Sequence, residues 1–253
     1  LNILSMRFFS AGTAQIPHDP ALIETGRTLL TSAGVLNGDI EDDALGRVVK
    51  VCLSDADAGP IAASLAERWA QTRDAWSEGT DTLEALLETQ PMAVLDALFE
   101  ASGEKQPHQL AISDRDEEHR NPVNAIPPAI LITWCDADPK RRYPWIAELI
   151  HFMERPNPEG PPAWSEQAIA LLTHAPDPRK VLDVFVPRLA PTSWSGSLAM
   201  IVATNAQLLD QLSAFASADL QQHGRDAKAG LMPRIEEMRQ WETERQRRQN
   251  ERF

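Results

Sequence analysis

The sequence of 253 residues predicts an all-α fold in which antiparallel helix pairs stack into a solenoid, with an irregular compact helical bundle as the alternative. Apolar residues recur at spacings of three and four along most of the chain, and no segment alternates apolar and polar residues as a half-buried strand would. Glycine is scarce, at 12 residues, and many of the 19 prolines stand where an apolar-periodic segment begins.

Helix starts follow one recurring device, the dipeptide Asp-Pro. It occurs at Asp19-Pro20, Asp138-Pro139 and Asp177-Pro178, each time ahead of a segment with helical periodicity. Asp suits the N-cap position, and Pro suits the first helical residue, where its missing N–H costs nothing. Three uses of the same device predict a repeated unit.

The apolar stripes place about a dozen helices. One stripe runs from Ile40 to Leu53 and a second from Ile61 to Trp69. Further helices are predicted near residues 19–33, 80–89, 91–101, 123–135, 140–153, 163–174, 178–189, 195–214 and 226–249. Connections are short except for a polar, acidic stretch at 102–122 and a proline-rich loop at 156–162.

No connection is long enough to demand a domain boundary, so one domain is expected over residues 1–253. Within it we expect helical blocks at 18–101 and 123–224, separated by the acidic loop 102–122, and a charged terminal helix at 225–253.

Turns rich in Asp, Pro and Ala recur along the chain. Those ending at Pro60, Pro91, Pro139 and Pro178 lie 31, 48 and 39 residues apart, near the period of two-helix repeats. The segment Asp177-Pro-Arg-Lys-Val181 and the apolar helix after it resemble the turn and second helix of a HEAT repeat. This resemblance covers residues 55–215 and implies a HEAT- or armadillo-like α-solenoid.

A second resemblance is to the C-terminal helical regions of large bacterial multidomain proteins that carry NTPase or effector modules. The residues that carry it are Gln90–Phe99, Trp134–Pro139, Arg142–Trp145, Pro191–Gly196 and Trp241–Arg245. The resemblance implies a sensor, docking arm or oligomerisation element and no catalytic residue. The apolar start at Leu1 also suggests a piece of a larger polypeptide.

Charge and cysteine usage limit the function classes. The net charge is −13, and residues 1–126 hold 21 acidic and 9 basic residues, whereas residues 127–253 hold 16 and 15. An acidic chain repels a phosphate backbone, so nucleic acid is not the expected partner, and any such contact would use the 127–253 half. Cys52 and Cys135 stand among apolar neighbours, as buried thiols of a cytoplasmic protein do, and no apolar run approaches the length of a membrane span.

Two stretches carry residue types that bind metals. Asp55 and Asp57 follow an apolar segment, but its helical spacing makes them a helix exit and a cap. The stretch 108–119 holds the densest set of candidate ligands, namely His108, Asp114, Asp116, Glu117, Glu118 and His119. Their charges alternate with Arg, which is typical of a solvated loop, so no metal or cofactor is expected. A metal-dependent enzyme with its site in this loop stays open as an alternative.

The candidate site is a partner-binding surface made of Arg141, Arg142, Tyr143, Trp145 and Trp194. Trp, Tyr and Arg dominate the energetics of protein interfaces, so these side chains would form a binding surface where they are exposed; the alternative is burial in the core. The sequence therefore predicts a non-catalytic interaction, scaffold or sensor module that binds a protein partner or other domains of its own polypeptide. Nucleic-acid binding through residues 127–253 is a further alternative.

Overall fold

The computed structural model describes residues 2–13, 18–32, 35, 41–71, 80–102, 121–157 and 160–250. The candidate metal ligands of the 108–119 stretch, and all of the acidic loop except its end residues, lie outside these ranges. Among the helices described, none combines the length and apolarity needed to cross a bilayer.

The described chain is mostly helical, which confirms the all-α prediction. Its α-helices are α1 Asn2–Thr13, α2 Pro20–Leu30, α3 Asp42–Cys52, α4 Gly59–Gln71, α5 Thr80–Thr89, α6 Pro91–Ser102, α7 Pro128–Cys135, α8 Pro139–Leu149, α9 Glu166–His174, α10 Pro178–Phe185, α11 Leu198–Asn205, α12 Leu208–Gln211 and α13 Ala218–Asn250. Short 3₁₀ turns lie at Ala56–Ala58, Pro122–Ala125, Val186–Leu189 and Leu212–Ala214.

One small β-element departs from the all-helical prediction. Strands β1, Met153–Glu154, and β2, Ala163–Trp164, pair antiparallel with Met153 opposite Trp164. The sequence between the strands holds four prolines, at 156, 158, 161 and 162, which disfavour a continuous helix through this region.

All three Asp-Pro dipeptides start a helix with Pro at its first position, as predicted. Only Asp19 caps its helix, accepting a hydrogen bond from the Ala21 N–H at 2.9 Å. Asp138 and Asp177 make no capping bond and instead pair with Arg141 at 3.5 Å and Arg179 at 3.1 Å. The helix start thus depends on the fixed φ of proline, and the N-cap role is correct at one site in three.

The chain divides into two compact units, Leu1–Trp134 and Cys135–Phe253. In the first unit, helices two positions apart along the chain pack against each other: α3 lies between α1 and α5, and α4 lies between α2 and α6. The most extensive packing joins α3 to α5 and α4 to α6. Leucines that are fully buried form the core between them, among them Leu53, Leu65, Leu83, Leu86, Leu95 and Leu98.

Hydrogen bonds at helix ends reinforce this alternate packing in the first unit. Asp42 of α3 accepts from the Asp81 N–H at 2.7 Å and so caps the start of α5. Arg68 of α4 donates to the carbonyl of Leu30 at 2.8 Å, at the end of α2, and Gln90 donates to the carbonyl of Leu53, after α3, also at 2.8 Å. Each bond joins residues 37 to 39 apart and satisfies a backbone group that a helix end leaves open.

The second unit has a different arrangement. Helices α8, α9 and α10 pack together around the rings of Phe152, Trp164 and Phe185, with the two Phe rings stacked at 5.1 Å. Arg188 lies 4.9 Å above the Phe152 ring and donates to the carbonyl of Ile150 at 2.9 Å, just after α8. Helix α13 packs against α10, α11 and α12.

Candidate partner-binding surface

Two of the five predicted surface residues lie in the core. Tyr143 is 1% exposed and Trp145 is 6% exposed, because both project from the buried side of α8. The Tyr143 hydroxyl donates to a carboxylate oxygen of Asp136 at 2.9 Å, and burial, together with that bond, raises the pKa of Tyr143. Both side chains therefore stabilise the second unit and present no surface to a partner.

The two arginines of the prediction are placed differently from each other. Arg141 is exposed and forms an ion pair with Asp138 at 3.5 Å in the first turn of α8, while Arg142 is half-buried. Of the aromatic residues, Trp194 alone matches the prediction of an exposed anchor, with 48% of its surface accessible.

The loop that carries Trp194 is fixed at the start of α11. Gly196 adopts a φ of 83°, a left-handed conformation that L side chains rarely adopt. Ser197 then caps α11, accepting from the Met200 N–H at 3.1 Å and donating to Glu242 of α13 at 2.6 Å. Glu242 also accepts from the Ala199 N–H at 3.1 Å.

Glu242 acts as a second cap for α11, brought from a distant part of the chain. Its carboxylate faces the unsatisfied N–H groups and the positive end of a helix. The hydrogen bond from Ser197 lowers the pKa of Glu242 most, and backbone N–H donors at Ala199 and Leu198 lower it further. The ionised form therefore ties α13 to the start of α11.

Two large apolar side chains near this junction were missed by the prediction. Met200, three residues after Ser197, is 68% exposed, and Trp241, next to Glu242, is 54% exposed. The guanidinium of Arg245 lies 5.2 Å from the centroid of the Trp241 ring. Trp194, Met200, Trp241 and Arg245 each lie within three residues of Ser197 or Glu242 along the chain, and we call them the α11 junction surface. Trp and Arg are among the residue types that dominate the energetics of protein interfaces.

The spacing of Ile235, Met238 and Trp241 in the sequence predicts a single apolar docking stripe along the terminal helix. Ile235 is fully buried and Met238 half-buried, whereas Trp241 is exposed. The docking face of α13 continues from Ile235 to Glu242, one turn beyond Met238, and Trp241 is rotated away from it. Because an α-helix has 3.6 residues per turn, a spacing of three residues drifts around the helix, and by Trp241 it has left the docking face.

A groove of about 430 Å³ lies between α12 and α13. Its lining includes Leu209 and Met232 as well as charged residues. The Lys228 ammonium pairs with Asp210 at 2.5 Å, and Arg225 donates to Gln222 at 2.7 Å. The cations of the groove are thus engaged by the protein's own groups.

Five Lys and Arg side chains of the second unit pair with acidic residues nearby. These ion pairs are Arg141–Asp138, Arg179–Asp177, Lys228–Asp210, Arg239–Glu236 and Arg248–Glu244. A nucleic-acid site requires basic side chains gathered on one face and free to contact phosphates. That nucleic acid is not the partner stays a prediction, which rests on the net charge of −13.

Both cysteines are buried, as predicted. Burial raises the pKa of Cys52 to about 11 and the pKa of Cys135 to about 12, so neither is a thiolate at neutral pH. Within the described ranges, no three His, Cys, Asp or Glu side chains are grouped as metal ligands would be.

No known protein family, curated protein or solved structure matches this chain.

Proposed function

We propose that this chain is a non-catalytic helical scaffold that binds a protein partner through exposed apolar side chains on a rigid frame. The observation that carries the proposal is the α11 junction surface. Trp194, Met200 and Trp241 expose large apolar areas beside a point where α11 and α13 are bonded by Ser197 and Glu242. Rigidly held aromatic side chains bind partners with little loss of conformational entropy.

The frame itself is proposed to be a degenerate α-solenoid of the HEAT type in the first unit. Alternate packing of α1, α3 and α5 on one side and α2, α4 and α6 on the other supports this arrangement. So does the separation of 37 to 39 residues across the bonds made by Asp42, Arg68 and Gln90. In such an array each repeat contacts only its neighbours, which leaves extended faces for binding.

Photocrosslinking tests the partner-binding proposal. A benzophenone amino acid is placed at Trp194 or Met200, with Thr243, an exposed polar residue of α13, as the control position. In extracts of the source cells, the first two variants should give a discrete adduct that the control does not. Adducts that are identical at all three positions, or none at any, would argue against a partner at this surface.

The chain is also proposed to belong to a longer bacterial multidomain polypeptide, in the cytoplasm, whose chemistry lies elsewhere. An immunoblot of the source cells, using antibody raised against these 253 residues, tests this directly. A band far above 28 kDa is expected. A band at 28 kDa would show a free-standing protein.

A further inference from the structure

The groove between α12 and α13 has the size of a small-molecule site. Its volume of about 430 Å³ lies within the range of about 300–1,000 Å³ that is usual for ligand pockets in proteins. Helix α13 packs closely on the 3₁₀ turn that follows α12, because a Cβ atom at Gly224 would lie 2.4 Å from the Cδ1 of Leu212. This close contact holds the two walls of the groove at a fixed distance.

The groove is lined by three charged side chains, of which two balance each other and one does not. The Lys228 ammonium lies 2.7 and 2.5 Å from the two carboxylate oxygens of Asp210. Arg225 instead donates to the neutral amide oxygen of Gln222, at 2.7 Å from Nη2. The amide nitrogen of Gln222 donates to Asp226 at 2.8 Å, and Asp226 is not part of the lining. Among the residues that the structure describes, none forms an ion pair with Arg225, so the lining has one uncompensated positive charge.

The two ends of the groove differ in polarity. At one end Gln221 donates to the carbonyl of Ser213 at 3.5 Å, and Arg225 lies one turn further along α13. At the other end Met232 is 48% exposed, and Leu209 adds to the apolar lining. Arg225 and Met232 are two turns apart, which is about 10 Å along the helix axis. A ligand that lies along the groove therefore meets a cation first and an apolar wall about 10 Å further on.

We propose that this groove binds a small carboxylate that has an apolar body. The guanidinium of Arg225 donates to the carboxylate of the ligand, and the apolar body covers Leu209 and Met232. A guanidinium presents N–H groups that match a carboxylate, and a single uncompensated charge suits a monoanion. The inference goes beyond the proposed function, because a scaffold that binds proteins requires no small-molecule site.

The test uses three probes that share one apolar body and differ in charge, namely phenylbutyrate, phenylbutanol and phenylbutylamine. Ligand-observed NMR titrations with the full chain at pH 7 give the three dissociation constants. Phenylbutyrate should bind saturably and at least tenfold more tightly than the neutral and cationic probes, because only the anion accepts charge-assisted hydrogen bonds from Arg225.

Two variants separate the role of charge from the role of apolar contact. Arg225→Gln should weaken the binding of phenylbutyrate at least tenfold and leave the binding of phenylbutanol unchanged. Met232→Gln should weaken both probes by a similar factor, about threefold, because the shared apolar body loses the same contact.

Arg234→Gln is the matched control, since Arg234 is an exposed arginine of the same helix and lies outside the lining. It changes the net charge as Arg225→Gln does and should bind phenylbutyrate as the wild type does. Arg225, Met232 and Arg234 are exposed, so all three variants should retain the wild-type circular dichroism spectrum and melting temperature.

Four results would overturn the inference. Equal affinity for the three probes would show apolar contact without recognition of charge. Equal weakening by Arg225→Gln and Arg234→Gln would show an effect of net charge alone. Tighter binding of phenylbutylamine would make Asp210 the group that selects the ligand, and no saturable binding of phenylbutyrate would remove the site. Crosslinking at Trp194 tests the proposed function separately, so the two can fail independently.

Discussion

Helix α2 can approach α3 closely because Gly26 has no side chain. A Cβ atom at Gly26 would lie 2.3 Å from the Sγ of Cys52, far inside contact distance, so only glycine fits there without movement. Beside it, Arg27 donates to the Cys52 carbonyl at 2.8 Å and pairs with Asp55 at 2.8 Å. Gly26 therefore leaves room for α3, and Arg27 forms a hydrogen bond with the last residue of that helix.

Gly26→Ala should therefore destabilise the protein, by about 1–3 kcal/mol, because the new methyl group overpacks the contact with Cys52. Urea unfolding at neutral pH measures the change. The double variant Gly26→Ala/Cys52→Ala should recover part of the loss, since it removes the clashing sulfur atom.

Gly230 in α13 provides the control, because a Cβ there meets nothing within 4 Å. Gly230→Ala should stabilise the protein by up to about 1 kcal/mol through helix propensity alone. If Gly26→Ala behaved like Gly230→Ala, the close approach of α2 to α3 would be wrong.

Buried thiols give a second prediction at the residue level. Because burial holds the pKa of Cys52 near 11 and the pKa of Cys135 near 12, both stay protonated and shielded at pH 8. Ellman's reagent should label neither residue in the native protein, and both in urea. Rapid labelling of one thiol in the native state would contradict its burial and would reopen a reactive role for it.

Among the helices, α5 shows that apolar periodicity and the position of a proline can predict both ends of a helix. It was predicted over residues 80–89 and spans Thr80–Thr89, because its apolar stripe is single and Pro91 starts the next helix directly after it. The Asp-Pro starts of α2, α8 and α10 were predictable for the same reason. Local sequence patterns predict the start or end of a helix correctly where contacts with distant residues do not change it.

Helix α1 was missed because its apolar residues occupy two opposed faces. Such a pattern has no single stripe, so the segment was read as an apolar chain start. The predicted helix at 195–214 is divided into α11, α12 and a 3₁₀ turn, since Asn205 at the end of α11 is held by Arg155 and by the carbonyl of Leu189. Those partners are remote in sequence.

The sequence identified residue types that suit a partner-binding surface, but it could not predict which of these side chains are exposed. Trp145 and Trp194 both stand near the start of a helix, yet one is 6% exposed and the other 48%. What separates them is tertiary packing, which buries one side of α8 and leaves the loop before α11 uncovered. No local pattern distinguishes these two surroundings.

The cap that Glu242 provides for α11 makes the contact between α11 and α13 depend on pH. The folded state lowers the pKa of Glu242, so its contribution is complete above the unfolded value near 4.5 and is lost as the pH falls toward the folded value. Glu242→Gln should therefore lower the free energy of unfolding at pH 7, and the difference from wild type should shrink by pH 3.

Urea unfolding at the two pH values measures this effect. Glu244→Gln is the matched control, because Glu244 is 68% exposed and its pair with Arg248, at 3.4 Å, lies at the surface. A difference between Glu242→Gln and wild type that stayed constant from pH 7 to pH 3 would rule out the carboxylate as the source of the stabilisation.

At the scale of the whole molecule, the two predicted architectures differ in how stability is distributed. In a solenoid each helix is stabilised by its neighbours in the stack, so a helix with neighbours on one side opens more readily than one with neighbours on both. Among the helices that the structure describes, α1 packs closely on one helix of its layer, α3, whereas α3 packs on both α1 and α5. A compact bundle would open as one unit.

Native-state hydrogen exchange distinguishes these cases within the first unit. In the solenoid, amides of α1 should exchange faster than amides of α3 and α5, and Leu95→Ala in α6 should accelerate exchange in α4, its partner, more than in α1. Leu95 is fully buried, so the substitution costs about 2–5 kcal/mol, enough to be measured. Equal acceleration in α4 and α1 would indicate a single cooperative bundle. In a solenoid, a cavity in α6 should weaken its neighbour α4 and leave α1, which is not its neighbour, little affected.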